Sequence, residues 1–88
     1  MKRSLNFAIL KAFTNHERLT ASELVQLLAD DYSKQRNFSY RSIAELLMTA
    51  KQNGLIDEVD FREHQGAGIE FIYSASEAQR EQINFYIR

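Results

Sequence analysis

The sequence contains no cysteine, no proline and no tryptophan, and only three of its 88 residues are glycine. Without cysteine, neither a disulfide framework nor a thiolate metal site can form. Apolar residues nowhere form the run of about 20 that a membrane-spanning helix requires. The segment after the basic start, Met1-Lys2-Arg3, is amphipathic and interrupted by polar residues, which is unlike a signal peptide. These absences predict a soluble, cytoplasmic protein.

The sequence also lacks the patterns of common catalytic and cofactor sites. It has no nucleophile–base pair and no paired-carboxylate motif, and Gly66-Ala67-Gly68 does not open a helix after a strand as a nucleotide-binding loop does. The two histidines, His16 and His64, stand far apart in the chain, so a metal site is not expected. A domain this small has little room for a catalytic cleft. We therefore expect neither an enzyme nor a bound cofactor, metal or small molecule.

The length and composition fit one globular domain over residues 1–88, with 44% hydrophobic and 26% charged residues. The net charge is only −1, but the charged residues fall into blocks. Residues 1–18 and 32–53 each carry four basic residues against one acidic residue, a net of +3. Residues 54–70 carry five acidic residues against one arginine, a net of −4. The placement of these blocks therefore bears more on binding than the total charge does.

The first third of the sequence is predicted to form two helices. A stripe of apolar residues at helical spacing indicates the first helix, near residues 4–14. Thr20 and Glu23 form a capping-box pattern, which places the start of a second helix near residues 20–31.

A polar and basic connector, residues 32–38, leads to a third predicted helix near residues 39–53. Ser39 is placed to cap its start, and Gly54 is placed to end it in the left-handed conformation. Apolar residues at helical spacing predict its buried stripe, which consists of Ile43, Leu46, Leu47 and Ala50. The residues on or near its outward face are then Arg41, Ser42, Glu45, Met48, Thr49 and Gln52.

Beyond the third helix, apolar residues alternate with polar ones, which is typical of strands near residues 55–61 and 69–74. A glycine-bearing turn joins them into a β-hairpin. Ser74 and Glu77 form another capping-box pattern, which predicts a last helix from about residue 75. The predicted fold class is therefore α+β, with a three-helix core, a two-stranded hairpin and a C-terminal helix.

This order of elements resembles the winged helix of DNA-binding regulators. Residues 39–56 look like the third helix of winged-helix repressors, with a capping serine, spaced apolar residues, and a glycine before two aliphatic residues: Ser39, Ile43, Leu46, Leu47, Gly54, Leu55 and Ile56. The stretch from Ile72 to Glu77 is similar to the end of the wing and the start of the last helix in penicillinase-repressor-like and PadR-like regulators. Two features depart from that pattern, because the connector is long and the hairpin is acidic.

The resemblance implies a DNA-binding transcriptional repressor that inserts the third helix into the major groove of double-stranded DNA. Arg41 can then contact guanine, while Ser39, Ser42 and the helix N-terminus can contact phosphates. The predicted DNA-contacting residues are Ser39, Tyr40, Arg41, Ser42, Glu45, Lys34, Arg36, Arg62 and Gln65. Tyr40 lies at the boundary of two faces, so it is either a core residue or a contact. The alternative for this surface is an ordinary solvated helix face.

The apolar C-terminal helix predicts self-association. Its broad apolar face comprises Ile83, Phe85, Tyr86 and Ile87, and packing within the chain leaves part of that face for a second copy. We therefore expect a homodimer. The alternative function is a winged-helix protein-interaction module that uses the acidic hairpin or the third helix. The net charge and the acidic hairpin favour that alternative, whereas the basic connector and Arg41 favour DNA.

Overall fold

The structure is a computed structural model that describes residues 3–64, 66 and 68–88. Its helices and strands follow in the order α1 (Leu5–Asn15), β1 (Arg18–Leu19), α2 (Ala21–Tyr32), α3 (Tyr40–Gln52), β2 (Asp57–His64), β3 (Gly68–Ser74) and α4 (Glu77–Ile87). The three strands form one antiparallel sheet in the order β1-β3-β2. The α+β class predicted from the sequence is confirmed. None of the helices in the described ranges is long and apolar enough to cross a membrane.

Side-chain caps fix the starts of α2 and α3. The hydroxyl of Thr20 accepts from the amide of Glu23 at 3.1 Å, and the Glu23 carboxylate accepts from the Thr20 amide at 2.9 Å. This is the predicted capping box, which supplies partners to amides that a helix start leaves unpaired. Ser39 caps α3 by accepting from the Ser42 amide at 3.1 Å, also as predicted. Gly54, with a φ of 80°, follows the end of α3 in the left-handed conformation.

The last helix begins later than the sequence predicts. Ser76 is its N-cap, because its hydroxyl accepts from the Gln79 amide at 3.1 Å and the Gln79 side chain accepts from the Ser76 amide at 2.8 Å. Ser74 ends β3 instead, and its hydroxyl donates to the carbonyl of Glu17 at 2.8 Å. The predicted capping box of Ser74 and Glu77 was therefore wrong. The sequence offers two overlapping boxes, and the pairing of β3 with β1 decides between them.

The sheet has three strands, where the sequence predicted a two-stranded hairpin. Arg18 pairs with Ser74, and Leu19 pairs with Tyr73. The sequence could not reveal β1, because two residues are too few to show an alternating pattern. Both Leu19 and Tyr73 are buried, so packing of their side chains holds this short strand against β3.

The hairpin is longer than predicted and contains one irregularity. Its strands pair as far as His64 and Gly68, so β2 continues beyond the residue 61 that the sequence predicted as its end. Glu58 lies opposite Tyr73 and Asp60 lies opposite Ile72, which leaves Val59 as an extra residue in β2. Such a bulge locally changes which side chains of a strand share a face.

The core draws apolar side chains from all four helices and from the sheet. Its largest fully buried apolar members are Phe13, Ile9, Leu10, Leu24, Ile43, Leu47, Ile56 and Ile83. In α3, Ile43, Leu47 and Ala50 are buried and Leu46 is half-buried, which agrees with the predicted inner stripe. Helix α1 packs against α4, and α2 packs against α3, so the first and last helices close one side of the core.

Two leucines of α2 provide a matched test of this core. Leu24 is fully buried, whereas Leu27 is 46% exposed. Leu24→Ala should lower the free energy of unfolding by about 2–5 kcal/mol, because it removes buried methyl groups and leaves a cavity. Leu27→Ala should cost less than about 1 kcal/mol, since its side chain buries much less surface on folding. Urea denaturation followed by circular dichroism measures both values, and equal losses would contradict the described orientation of α2.

Candidate nucleic-acid interface

The exposed face of α3 follows from the burial of its opposite side. Successive helical residues turn by about 100°, so the buried Ile43, Leu47 and Ala50 leave a stripe at spacing i, i+4, i+7 and i+11 pointing outward. The members of that stripe are all exposed: Arg41, Glu45, Met48 and Gln52. This agrees with the outward face predicted from the sequence.

The first turn of α3 combines a serine cap with an exposed arginine. Besides accepting from the Ser42 amide, the hydroxyl of Ser39 donates to the hydroxyl of Ser42 at 3.1 Å. Both serines therefore have partners within the turn, and contacts from them to phosphate stay predictions. Arg41 is exposed and has no carboxylate partner among the described residues. The positive end of the helix dipole adds to its charge, so this turn favours an anion.

The connector before α3 carries two further exposed cations, Lys34 and Arg36. Backbone hydrogen bonds fold the connector into successive turns, from the Gln35 amide to the Tyr32 carbonyl and from the Phe38 amide to the Gln35 carbonyl. Neither Lys34 nor Arg36 forms an ion pair within the part of the chain that the structure describes. Together with Arg41, they form a group of three cations without carboxylate partners.

A buried carboxylate joins the hairpin to the starts of α2 and α3. Glu70, on β3, is only 3% exposed. Its Oε2 accepts from the Ser22 amide at 3.1 Å and from the Ser22 hydroxyl. Its Oε1 accepts from Arg62 Nε at 3.1 Å and lies 3.0 Å from Arg62 Nη2. Tyr40, the first residue of α3, lies near enough to this carboxylate to lower its pKa. One side chain on β3 therefore binds donors from α2 and β2 and lies near the start of α3.

Further contacts surround this carboxylate. Arg62 Nη2 donates to the hydroxyl of Thr20, the N-cap of α2, at 3.3 Å. His64 Nε2 lies 3.3 Å from Ser22 Oγ and 3.9 Å from Glu70 Oε2. The His64 ring also meets the ring of Tyr40 edge-on, with 4.8 Å between centroids. We refer to Ser22, Tyr40, Arg62, His64 and Glu70 as the Glu70 cluster.

The Glu70 cluster is stable with its carboxylate charged and its phenol neutral. Burial raises the pKa of Glu70, but hydrogen bonds from Ser22, Tyr40 and Arg62 lower it by more, so the pKa lies below its ordinary value. Burial, and then the hydrogen bond to Glu70, raise the pKa of the Tyr40 hydroxyl. The phenol therefore keeps its proton at neutral pH, while the carboxylate stays charged.

Two predicted DNA-contacting residues, Tyr40 and Arg62, belong to this cluster. Tyr40 is half-buried and its ring packs against His64. Of the two predicted alternatives, core residue or surface contact, its position is therefore closer to that of a core residue. The side chain of Arg62 is exposed to solvent, but its guanidinium donates hydrogen bonds to Glu70 and Thr20. Contacts from either residue to DNA stay predictions. Gln65, the third predicted contact from the hairpin region, lies outside the described residues.

Sequence reasoning missed Glu70 and its partner Ser22. One signal was present in the sequence, the glycine at position 66 between the two strands. In the structure, the opposed pairs from Asp60 to His64 are symmetric about this residue. This register places Arg62 directly opposite Glu70, an arrangement that favours an ion pair between neighbouring strands. No pattern in the sequence indicates that the pair also reaches the start of α2.

The outer side of the hairpin is acidic and apolar. Asp57, Asp60 and Glu63 are exposed, while Glu58 forms a surface ion pair with Lys51 at 3.7 Å. The exposed apolar residues of the hairpin are Val59, Phe61, Ile69 and Phe71. These carboxylates make this side of the hairpin unfavourable for phosphate.

The C-terminal helix divides its apolar residues between the core and the surface. Ile83 and Ile87 are buried within the chain, so little of either side chain is presented at the surface for the predicted dimer interface. Their spacing of four residues puts them on the same face, which packs inward. Phe85 and Tyr86 are 69% and 66% exposed, so the interface prediction now rests on these two residues.

Comparison of the chain with protein-family models finds no match, and comparison with curated proteins finds no matching relative. Among the described residues, no group of three or more histidine, aspartate and glutamate side chains is placed to hold a metal ion. The function is therefore argued from the geometry of the chain itself.

Substitution of Glu70 tests the cluster. Glu70→Gln keeps the shape but removes the charge that Ser22, Tyr40 and Arg62 bind, so the free energy of unfolding at pH 7 should fall by about 1–3 kcal/mol. Because the folded-state pKa is lowered, the stabilisation is present above about pH 4.3 and is lost as the pH falls through the folded-state value. Urea denaturation at pH 7 and in acid should show the difference between wild type and variant shrinking in acid.

Glu63→Gln is the matched control, because Glu63 is exposed on the same hairpin and has no ion-pair partner among the residues described. It should change stability by less than about 0.5 kcal/mol. A Glu70→Gln deficit that is the same in acid as at pH 7 would show that the charge of Glu70 does not provide the stabilisation.

Proposed function

We propose that this chain is a winged-helix DNA-binding regulator that places α3 in the major groove of double-stranded DNA and represses by occupying its site. One observation carries the proposal. Three exposed cations lead into and begin a capped helix, and none of them pairs with a carboxylate among the described residues: Lys34, Arg36 and Arg41. A duplex offers the complementary surface, a groove wide enough for a helix between two lines of phosphates.

The order of elements supports the winged-helix interpretation. Three helices, a hairpin and a final helix follow one another, and β1 adds to the hairpin without replacing any of these elements. The cap of α3, its inner stripe and the glycine after it are the features on which the resemblance to winged-helix repressors depends. Fold alone does not establish function, and it is the exposed cations that favour DNA as the partner.

The proposed contacts divide into those that position the helix and those that read bases. Lys34 and Arg36 in the connector bind phosphates, which provides affinity without sequence preference. Arg41 is placed in the first turn, from which recognition helices contact base edges, and its guanidinium can donate two hydrogen bonds to guanine. Glu45, one turn further along the stripe, can accept from the amino group of cytosine.

The regulator is proposed to act as a homodimer. Phe85 and Tyr86 give α4 an exposed aromatic surface beside the buried stripe of Ile83 and Ile87. A two-fold interface uses the same patch on both copies, so a pair of α4 helices satisfies the requirement with one surface. The two copies of α3 would then reach half-sites about 34 Å apart, one turn of the duplex, or a multiple of that distance.

Two arginine variants test the division of contacts. Arg36→Ala should reduce the slope of log affinity against log salt by about 0.9 per protomer, with sequence preference nearly unchanged. Arg41→Ala should relax the preference at one base position and cost about 1–3 kcal/mol per half-site. Titration of DNA fragments at several salt concentrations, followed by fluorescence anisotropy, measures both effects.

Lys11→Ala is the control for these variants, because Lys11 is an exposed lysine on α1, an element outside both the connector and α3. It should leave both affinity and salt slope unchanged. If the wild type shows no salt-dependent binding to any DNA fragment at low salt and micromolar protein concentration, the DNA proposal is rejected.

The dimer is tested separately from DNA binding. Phe85→Ser with Tyr86→Ser should shift the protein from dimer to monomer at micromolar concentration, because it removes the exposed aromatic surface of α4. Sedimentation equilibrium measures the change in mass. Leu27→Ser, which alters another exposed apolar side chain, should leave the dimer intact. A wild type that is monomeric at all accessible concentrations would contradict the proposed dimer.

A further inference from the structure

The hairpin has an uncovered edge. In the sheet order β1-β3-β2, the central strand is β3, and no strand of the described chain pairs with the outer side of β2. Every residue of β2 from Asp57 to Glu63 is exposed, and His64 is half-buried. Beyond the bulge at Val59, the edge of β2 presents backbone donors and acceptors that an extended segment can pair with, although the Phe61 amide already donates to the Asp60 carboxylate.

Next to this edge lies an apolar face. Phe61 is directly opposite Phe71 in the register, and directly opposed residues share a face of the hairpin. Ile69 is two residues from Phe71 on β3, so it extends the same face. Phe61 is 61% exposed and Ile69 is 54% exposed. Large apolar side chains that belong to a protein core are usually buried.

This apolar face continues to α3. Ile69 and Phe71 line a groove of about 240 Å³ together with Ala44 and Met48 of α3, and Met48 is itself exposed. The hairpin and helix therefore present a contiguous apolar surface, in contrast to the scattered apolar residues that are normal on a protein surface.

The charge of the edge defines what can cover it. Four carboxylates lie on β2, at Asp57, Glu58, Asp60 and Glu63, and the one arginine of the strand is bound to Glu70. The carboxylate of Asp60 accepts from the amide of Phe61 at 2.8 Å, which holds this charge against the strand. Nucleic acids and anionic membranes are therefore repelled. Antiparallel pairing of β2 with its copy in a second chain is also disfavoured, because it would bring acidic strands together.

We propose that the edge of β2 and the adjoining apolar face bind an extended, basic segment of a partner protein, in which lysine or arginine alternates with apolar residues. The segment adds a fourth strand beside β2. Its apolar residues cover Phe61 and Phe71 on one face of the hairpin. Its cations pair on the other face with Asp57 and Asp60, which share that face because they lie opposite Ser74 and Ile72. The backbone ladder supplies affinity, whereas the alternation of side chains supplies specificity. This surface does not include the cations of the connector, and it meets the outward stripe of α3 at Met48.

A nine-residue peptide with alternating lysine and valine, blocked at both ends, is the probe. Titration calorimetry should give saturable binding, and NMR should show shifted amide signals and slowed amide exchange along β2. Two matched peptides define the interaction. One has glutamate in place of lysine and tests charge, and the other is N-methylated at alternate residues and tests the backbone ladder. Neither should bind at the concentrations that saturate the parent peptide.

Variants of the edge test the residues. Phe61→Ser, and separately Asp57→Asn with Asp60→Asn, should each weaken binding of the lysine–valine peptide at least about tenfold, as expected for central contacts of an interface. Two controls remove the same chemistry elsewhere on exposed surface, Leu27→Ser on α2 and Glu45→Gln on α3. Both should bind the peptide as the wild type does. Circular dichroism verifies that each variant is folded.

Several results would overturn the proposal. Equal binding of the N-methylated peptide would reduce the interaction to electrostatic attraction without strand addition. Amide shifts confined to other elements would place the peptide elsewhere, and absence of saturable binding would remove the site. Sedimentation that shows two chains joined through β2, lost in Phe61→Ser, would assign the edge to a second copy. Arg41→Ala should bind the peptide normally, so the outcome is independent of the DNA experiment.

Discussion

A carboxylate that leaves water on folding must find donors within the protein, because an unpaired buried charge costs several kcal/mol. Glu70 finds its donors on Ser22 of α2 and Arg62 of β2, and Tyr40 of α3 packs beside them against His64 of β2. These contacts can form together only when the hairpin lies against the starts of both helices. The first turn of α3 and the exposed edge of β2 are therefore oriented by the same side chain, although they face different proposed partners.

The small net charge of the chain conceals two surfaces of opposite sign. Some of the cations are used within the fold, since Arg62 is bound to Glu70 and Lys51 is paired with Glu58. The exposed cations of the connector and the first turn of α3 have no such partner among the described residues. The attraction that each surface exerts reaches about 8–10 Å at physiological salt, so each acts on its own neighbourhood. Total charge is therefore a poor guide to what this protein binds.

The features that the sequence predicts well are those decided by neighbouring residues. The capping box of Thr20, the cap at Ser39 and the inner stripe of α3 depend on spacings of three or four positions, and all are present. The features that it missed depend on residues distant in the chain. Ser76 caps helix α4 because Ser74 belongs to β3, where it pairs with Arg18 of β1. Composition likewise cannot say which side chains of α4 pack inward.

The residues of the candidate site show the same difference between features set by neighbouring residues and features set by distant ones. Exposure of Arg41, Lys34 and Arg36 follows from helix periodicity and from the polarity of the connector, so sequence reasoning located them correctly on the surface. The capture of Arg62 by Glu70 needed the hairpin register, and the inward position of Tyr40 needed the contact between α3 and the hairpin. The bulge at Val59 adds a further obstacle, because it interrupts the alternation from which faces of a strand are assigned.

The two-residue strand β1 has a consequence for how the chain folds. Its partner lies on β3, so the ladder between Arg18 and Ser74 closes a loop that contains α2, α3 and β2. The helices and the hairpin can form from nearby contacts, but this ladder and the packing of α1 on α4 require the two ends of the sequence to meet. Long-range closure carries an entropy cost before its contacts form, and proteins that depend on it fold more slowly than their helix content suggests. The rate-limiting step in folding this mainly helical chain is therefore expected to be the joining of its ends.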